Sequence, residues 1–83
     1  PNPFNPKTSI RFDLAKSGNV KLEVFNVKGQ LVKTLVNGKS EAGSHSLEWN
    51  GIDNNGKATS SGVYYYKLTT DGKTLTNKML MLK

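Results

Sequence analysis

Apolar and polar residues alternate one by one in several separate stretches of this chain, and no stretch sustains a 3.6-residue period. A two-residue period sends successive side chains to opposite faces, as in a strand with one buried side. In TSIRFDL (8–14), Ile10, Phe12 and Leu14 share one face and Ser9, Arg11 and Asp13 the other. In NVKLEVF (19–25), Val20, Leu22 and Val24 oppose Lys21 and Glu23, and SGN (17–19) is the turn between the two stretches. In SHSLEWN (44–50), His45, Leu47 and Trp49 read as inward and Ser46 and Glu48 as outward. In VYYYKL (63–68), Tyr64, Tyr66 and Leu68 share one face, and Val63, Tyr65 and Lys67 the other.

The stretches between these runs are turn-forming. NVKGQ (26–30) carries Gly29, which takes positive φ at low cost, and fits a hairpin loop. QLVKTLV (30–36) is a third strand whose phase is ambiguous: Leu31 and Leu35 share one face, Val32 and Val36 the other. A bulge and two-sided burial both account for this. NGKSEAG (37–43) reads as a polar loop with room for a short edge strand, and GIDNNGKATSSG (51–62) as a long connection. Asp71-Gly72 is a strong two-residue hairpin signal, and 74–83 closes the chain as a terminal strand suited to a sheet edge. Short strands with turn signals roughly every 8–12 residues predict an all-β antiparallel sandwich. The expected organisation is a proline-rich linker over residues 1–7 and a single sandwich domain over 8–83. In the linker Pro1, Pro3 and Pro6 fix φ, and Phe4 is the apolar residue expected to tuck against the sandwich edge.

Composition narrows the function classes. At 83 residues the core is thin, and with no cysteine it gains no disulfide. The longest apolar run, Met79–Leu82, is far short of a membrane helix. The chain starts on proline with no signal-peptide pattern, so it reads as a piece of a longer protein. The net charge is +6, but eleven of the twelve basic residues are lysines spread along the sequence. That distribution suits a solvated face and protected sheet edges, or attraction to an anionic surface polymer, better than nucleic-acid reading by arginine.

Reactive constellations are sparse. His45 is the single histidine and sits at an inward strand position, which suits packing rather than acid–base work or zinc ligation. The six acids are scattered: Asp13, Glu23 and Glu48 at outward strand positions, Glu41, Asp53 and Asp71 in loops. Nothing pairs them across a cleft as a glycosidase requires. Asp53 and Asn55 have the i, i+2 spacing that begins a calcium loop, but Lys57 occupies the next ligand position. A turn using Asn and Gly at positive φ explains the stretch better. Tyr65 is the lone aromatic at an outward strand position and so the candidate sugar contact. The residues imply no enzyme, no cofactor and no metal.

Taken together, PNPFNPKTSIRFDL, VKLEVFNVKGQLVKTL, GSHSLEWNGIDNNGKATSSGVYYYKL and NKMLMLK resemble the C-terminal type IX secretion sorting domain. They equally resemble the Ig-like domain of flagellar hook-capping proteins. The resemblance implies an Ig-like (fibronectin-III-like) antiparallel β-sandwich of about seven strands. It implies a non-catalytic, monomeric sorting or attachment module, C-terminal in a larger secreted protein and following a cargo domain, an enzyme for preference. The partner would be the outer-membrane secretion machinery or a surface polymer, and the location the bacterial cell surface, reached through the periplasm. The family's sorting signals map onto Ser61, Gly62, Val63, Tyr64, Lys78, Met79 and Lys83. The alternatives are a structural Ig-like spacer beside an enzyme domain and a carbohydrate-binding module.

Overall fold

A computed structural model describes residues 7–83, and the expectations for residues 1–6, the seating of Phe4 included, lie outside them. Six strands form, and no helix, among the described residues: β1 (Thr8–Leu14), β2 (Gly18–Phe25), β3 (Leu31–Ser40), β4 (Gly43–Trp49), β5 (Gly62–Thr70) and β6 (Lys73–Met81). All pairing is antiparallel, in a two-stranded sheet β1–β4 and a four-stranded sheet ordered β3–β2–β5–β6.

The alternating residues make the core between the sheets. Ile10, Phe12, Leu14 and Trp49 come from the small sheet, and Val20, Leu22, Val24, Val32, Tyr64, Leu68, Met79 and Met81 from the large one; all are buried. Trp49 is fully buried and meets Tyr64 edge-on across the sandwich, ring centroids 5.0 Å apart. Each fully buried large side chain is worth roughly 1.5–3 kcal/mol, so these dozen residues supply most of the driving force of a small domain. Two sheets packed over one apolar layer are the β-sandwich that the periodicity predicts, in the Ig-like form that the resemblance implies.

Six strands form where about seven were expected. The physical reason lies in 37–43, where a loop or separate edge strand was expected. Asn37–Ser40 instead prolong β3, with Asn37 opposite Lys21 and Ser40 opposite Gly18. These polar residues have no apolar face to bury, but an edge strand needs only backbone pairing on one side. The chain then crosses to the small sheet through Glu41 and Ala42.

The ambiguous phase of β3 comes from two bulges. Pairing with β2 skips Leu35 between Leu22↔Val36 and Glu23↔Thr34, and skips Val32 between Val24↔Lys33 and Phe25↔Leu31. An extra residue brings two neighbours toward the same side. Leu35 and Val36 accordingly both pack against the core.

The connection 51–61 is a miniature hairpin. Ile52 bridges Ala58, and the Gly51 carbonyl accepts both the amide and the hydroxyl of Thr59 at 2.8 Å. The Trp49 indole donates to the Ile52 carbonyl at 3.1 Å. Asn54 at the tip seals the edge of β3: its amide donates to the Val32 carbonyl (2.9 Å), and its side-chain oxygen accepts the Thr34 amide (3.1 Å).

Candidate functional site

At one end of the sandwich the β2–β3 turn, the tip of the 51–61 hairpin and the start of β5 enclose an open cleft of about 800 Å³. Its walls hold much of what the sequence singled out, residues 26–28, 30–32, 53–55 and 58–64.

Two of its loops are built alike. In the first, Asn26 N–H donates to Gln30 O (3.1 Å) and Gly29 N–H to Asn26 O (2.9 Å), while Asn26 Oδ1 accepts the amides of Lys28 (2.9 Å) and Gln30 (3.0 Å). In the second, Asp53 N–H donates to Lys57 O (2.8 Å) and Gly56 N–H to Asp53 O (3.0 Å), while Asp53 Oδ1 accepts the amides of Asn55 and Lys57, both at 2.9 Å. Gly29 and Gly56 occupy the same place, at φ of 80° and 82°. Each turn is thus nucleated by one side-chain oxygen that gathers the amides two and four residues on, and closed by a glycine in the left-handed region. The shared pattern, Asn or Asp then Gly three residues later, is visible in the sequence once the two stretches are set side by side. The asparagines of 53–56 do not take the positive φ expected of them; Gly56 alone does.

This geometry places the metal candidates. One oxygen of Asp53 is engaged by two amides, and Asn55 supplies one of them. Among the described residues no three His, Cys, Asp or Glu side chains cluster where an ion could be held. His45 lies flat on Phe12, centroids 5.0 Å apart, and its Nε2 donates to the Glu41 carbonyl at 2.7 Å, so the ring face packs on the small sheet and the ring edge holds the turn that leads into β4.

The residues carried over as sorting signals come together, but in different roles. Gly62, Val63 and Tyr64 pair with Met81, Leu80 and Met79, and Lys78 lies opposite Tyr65. Tyr64 and Met79 are buried in the core. The Tyr64 hydroxyl donates back to the Ser60 carbonyl at 2.6 Å, the tyrosine-corner arrangement of Ig-like sandwiches. Ser61 Oγ accepts the Lys83 amide at 3.0 Å, which ties the chain end to the head of β5. Val63, Lys78 and Lys83 are exposed. Tyr65 is half-buried on the outer face of the large sheet, opposite Phe25. β6 is an edge strand of that sheet.

The fold and these loops define the class: an Ig-like sandwich module with stiff, backbone-closed loops at one end. The particular family follows from comparison. The model of the FlgD Ig-like domain matches residues 4–74, and the chain belongs to that family. Among solved structures the chain is similar to FlgD from P. aeruginosa, at 32% identity and a TM-score of 0.71 over 92% of this chain and 60% of that one. It is also similar to FlgD from Xanthomonas campestris, a protein described in terms of hook capping essential for flagellar assembly, at 26% identity and a TM-score of 0.70. That match covers 93% of this chain and 56% of the other, so the chain spans under two thirds of either solved protein. No curated protein matches the sequence.

These findings correct the expected function. The resemblance was shared between type IX sorting domains and hook-capping Ig-like domains, and the matches fall on the hook-capping side alone. The type IX sorting role, its secretion machinery and an enzyme cargo are therefore set aside. The spacer and sugar-binding alternatives gain no support either. Tyr65, the candidate sugar contact, is half-buried with Phe25 opposite it on the neighbouring strand.

Proposed function

We propose that this chain is a non-catalytic assembly module of a flagellar hook-cap protein, acting outside the cytoplasm at the cell surface. Its partner is then a polymer of protein subunits rather than a polysaccharide. The observation that carries the reading is the family match over residues 4–74, joined to two FlgD structures that superpose on more than nine-tenths of the chain. The absence of catalysis is supported through the family. The architecture agrees with such a role: a rigid sandwich with tightly bonded loops presents a preformed surface and orders little on contact. The module would supply binding surface, with its shape set by the loop-end turns.

The reading is tested by deleting residues 7–83 in frame from the protein in the bacterium that carries it. Loss of hooks in electron micrographs, with loss of swimming, is expected, and restoration by the intact gene. Normal hooks and normal swimming in the deletion strain overturn it.

A further inference from the structure

Among the described residues, the exposed large apolar side chains are Val27, Leu31, Val63, Leu75, Leu80 and Leu82. All but Leu75 lie at the cleft end of the four-stranded sheet. The register shows how they connect. Leu31 is opposite Phe25, Phe25 opposite Tyr65, and Val63, on the same outer face as Tyr65, is opposite Leu80. An apolar strip therefore crosses all four strands on the face turned away from the small sheet. Three strand spacings make it roughly 14 Å wide. Half-buried Phe25 and Tyr65 fill its centre.

The charges around the strip have one dominant sign. Lys28 stands in the adjoining turn, Lys78 lies opposite Tyr65, and Lys67 holds its Nζ 5.1 Å from the centre of the Phe25 ring. Glu23, opposite Lys67, is the one strand acid on this face. Asp13 and Glu48 belong to the other sheet, Glu41 and Asp71 to turns at the far end, and Asp53 Oδ1 is bonded to backbone amides. An apolar, aromatic-centred patch with a charged rim has the make-up of a protein–protein interface.

We infer that this strip is the docking face of the module, and that its partner is a protein surface with an apolar centre rimmed by carboxylates. A second copy is disfavoured, because it would set the lysine rim of one +6 chain against that of another. The inference rests on the hook-cap reading for the identity of the polymer that carries such a surface.

The test uses purified hook polymer as the probe and co-sedimentation of the full-length protein. The triple variant Leu31→Thr, Val63→Thr, Leu80→Thr keeps strand-compatible residues at exposed sites, and an unchanged unfolding midpoint checks its fold. We expect binding at least tenfold weaker in the triple variant. A several-fold loss and a flatter salt dependence are expected in Lys28→Glu, Lys78→Glu, and no change in Leu75→Thr. Wild-type binding by the triple variant overturns the docking face and leaves the hook-cap reading standing. Failure of the wild-type protein to bind hook polymer overturns that reading and this inference with it. Self-association of the wild type that the triple variant abolishes overturns the acid-rimmed partner in favour of a second copy.

Discussion

Asp53 separates a structural turn from an ion site, because the two roles use its carboxylate differently. As a turn nucleus it needs only an acceptor oxygen for the Asn55 and Lys57 amides. Asp53→Ala removes both bonds and leaves two amides that water can reach, since Asn55 and Lys57 are exposed. At about 0.5–1 kcal/mol for each such bond, the cost is about 1–2 kcal/mol. For a domain of this size that lowers the melting temperature by about 5–15 °C. Asp53→Asn keeps the acceptor and gives up only its charge, so it should cost about 0.5 kcal/mol or less. The molecule contains its own precedent, since Asn26 performs the same task in the twin turn.

The assay is thermal unfolding followed by Trp49 fluorescence. Trp49 is the single tryptophan, is fully buried, and is bonded through its indole to Ile52 in the hairpin that Asp53 closes. A calcium titration runs alongside. An ion held at one hundred times its dissociation constant would stabilise the protein by about 2.7 kcal/mol, a shift too large to miss. A purely structural role for Asp53 is refuted if Asp53→Asn destabilises as much as Asp53→Ala, or if calcium raises the wild-type midpoint by several degrees and that of Asp53→Asn not at all.

Other perturbations probe the same end of the molecule. Tyr64→Phe deletes the donor to Ser60 O and should cost about 1 kcal/mol in urea unfolding, whereas Tyr66→Phe, whose hydroxyl only accepts from exposed Asn77, should fall within error of wild type. Gly51→Ala places a methyl 3.4 Å from the Met81 thioether at φ +77°, and should cost about 1–2 kcal/mol with a drop in midpoint that Trp49 fluorescence reports.

The parts of the fold that could be read from the sequence were those where one local rule acts alone. β1 and β2 each carry an unbroken alternation with one face covered, so Ile10, Phe12 and Leu14, then Val20, Leu22 and Val24, fall inward without interference. Asp71-Gly72 makes the two-residue turn between β5 and β6 because both residues take positive φ, 50° and 72°. Reading failed where a long-range partner decides. The phase of β3 depends on where its pairing with β2 leaves bulges, and no count along 30–36 contains that information. Asn37–Ser40 become strand because β2 offers its second edge, not because of anything apolar in NGKS. The kinship of the 26–30 and 53–57 turns was within reach, but it lies in matching hydrogen-bonding capacity at Asn26 and Asp53 rather than in periodicity.

The misreading of function has the same origin. The motifs behind the resemblance are, residue by residue, fold-forming. N-x-x-G-Q is the Asn26 turn. In W-N-G, Trp49 fills the core, Asn50 accepts the Ile52 amide at 3.1 Å, and Gly51 turns the chain against Met81. In S-G-V-Y, Ser61 holds the chain end and Tyr64 closes the corner. Such residues build the sandwich, so they point to the architecture and leave its employment open. Functional differences must instead reside in positions that the fold leaves free. The outer strip is where such freedom is greatest, because Leu31, Val63 and Leu80 contribute little to the core yet stay apolar in contact with water. An architecture under selection for stability alone would gain solubility from polar residues at these three sites. Their apolar character is therefore the part of the sequence that the fold does not account for, and it directs the search for function to that face of the large sheet.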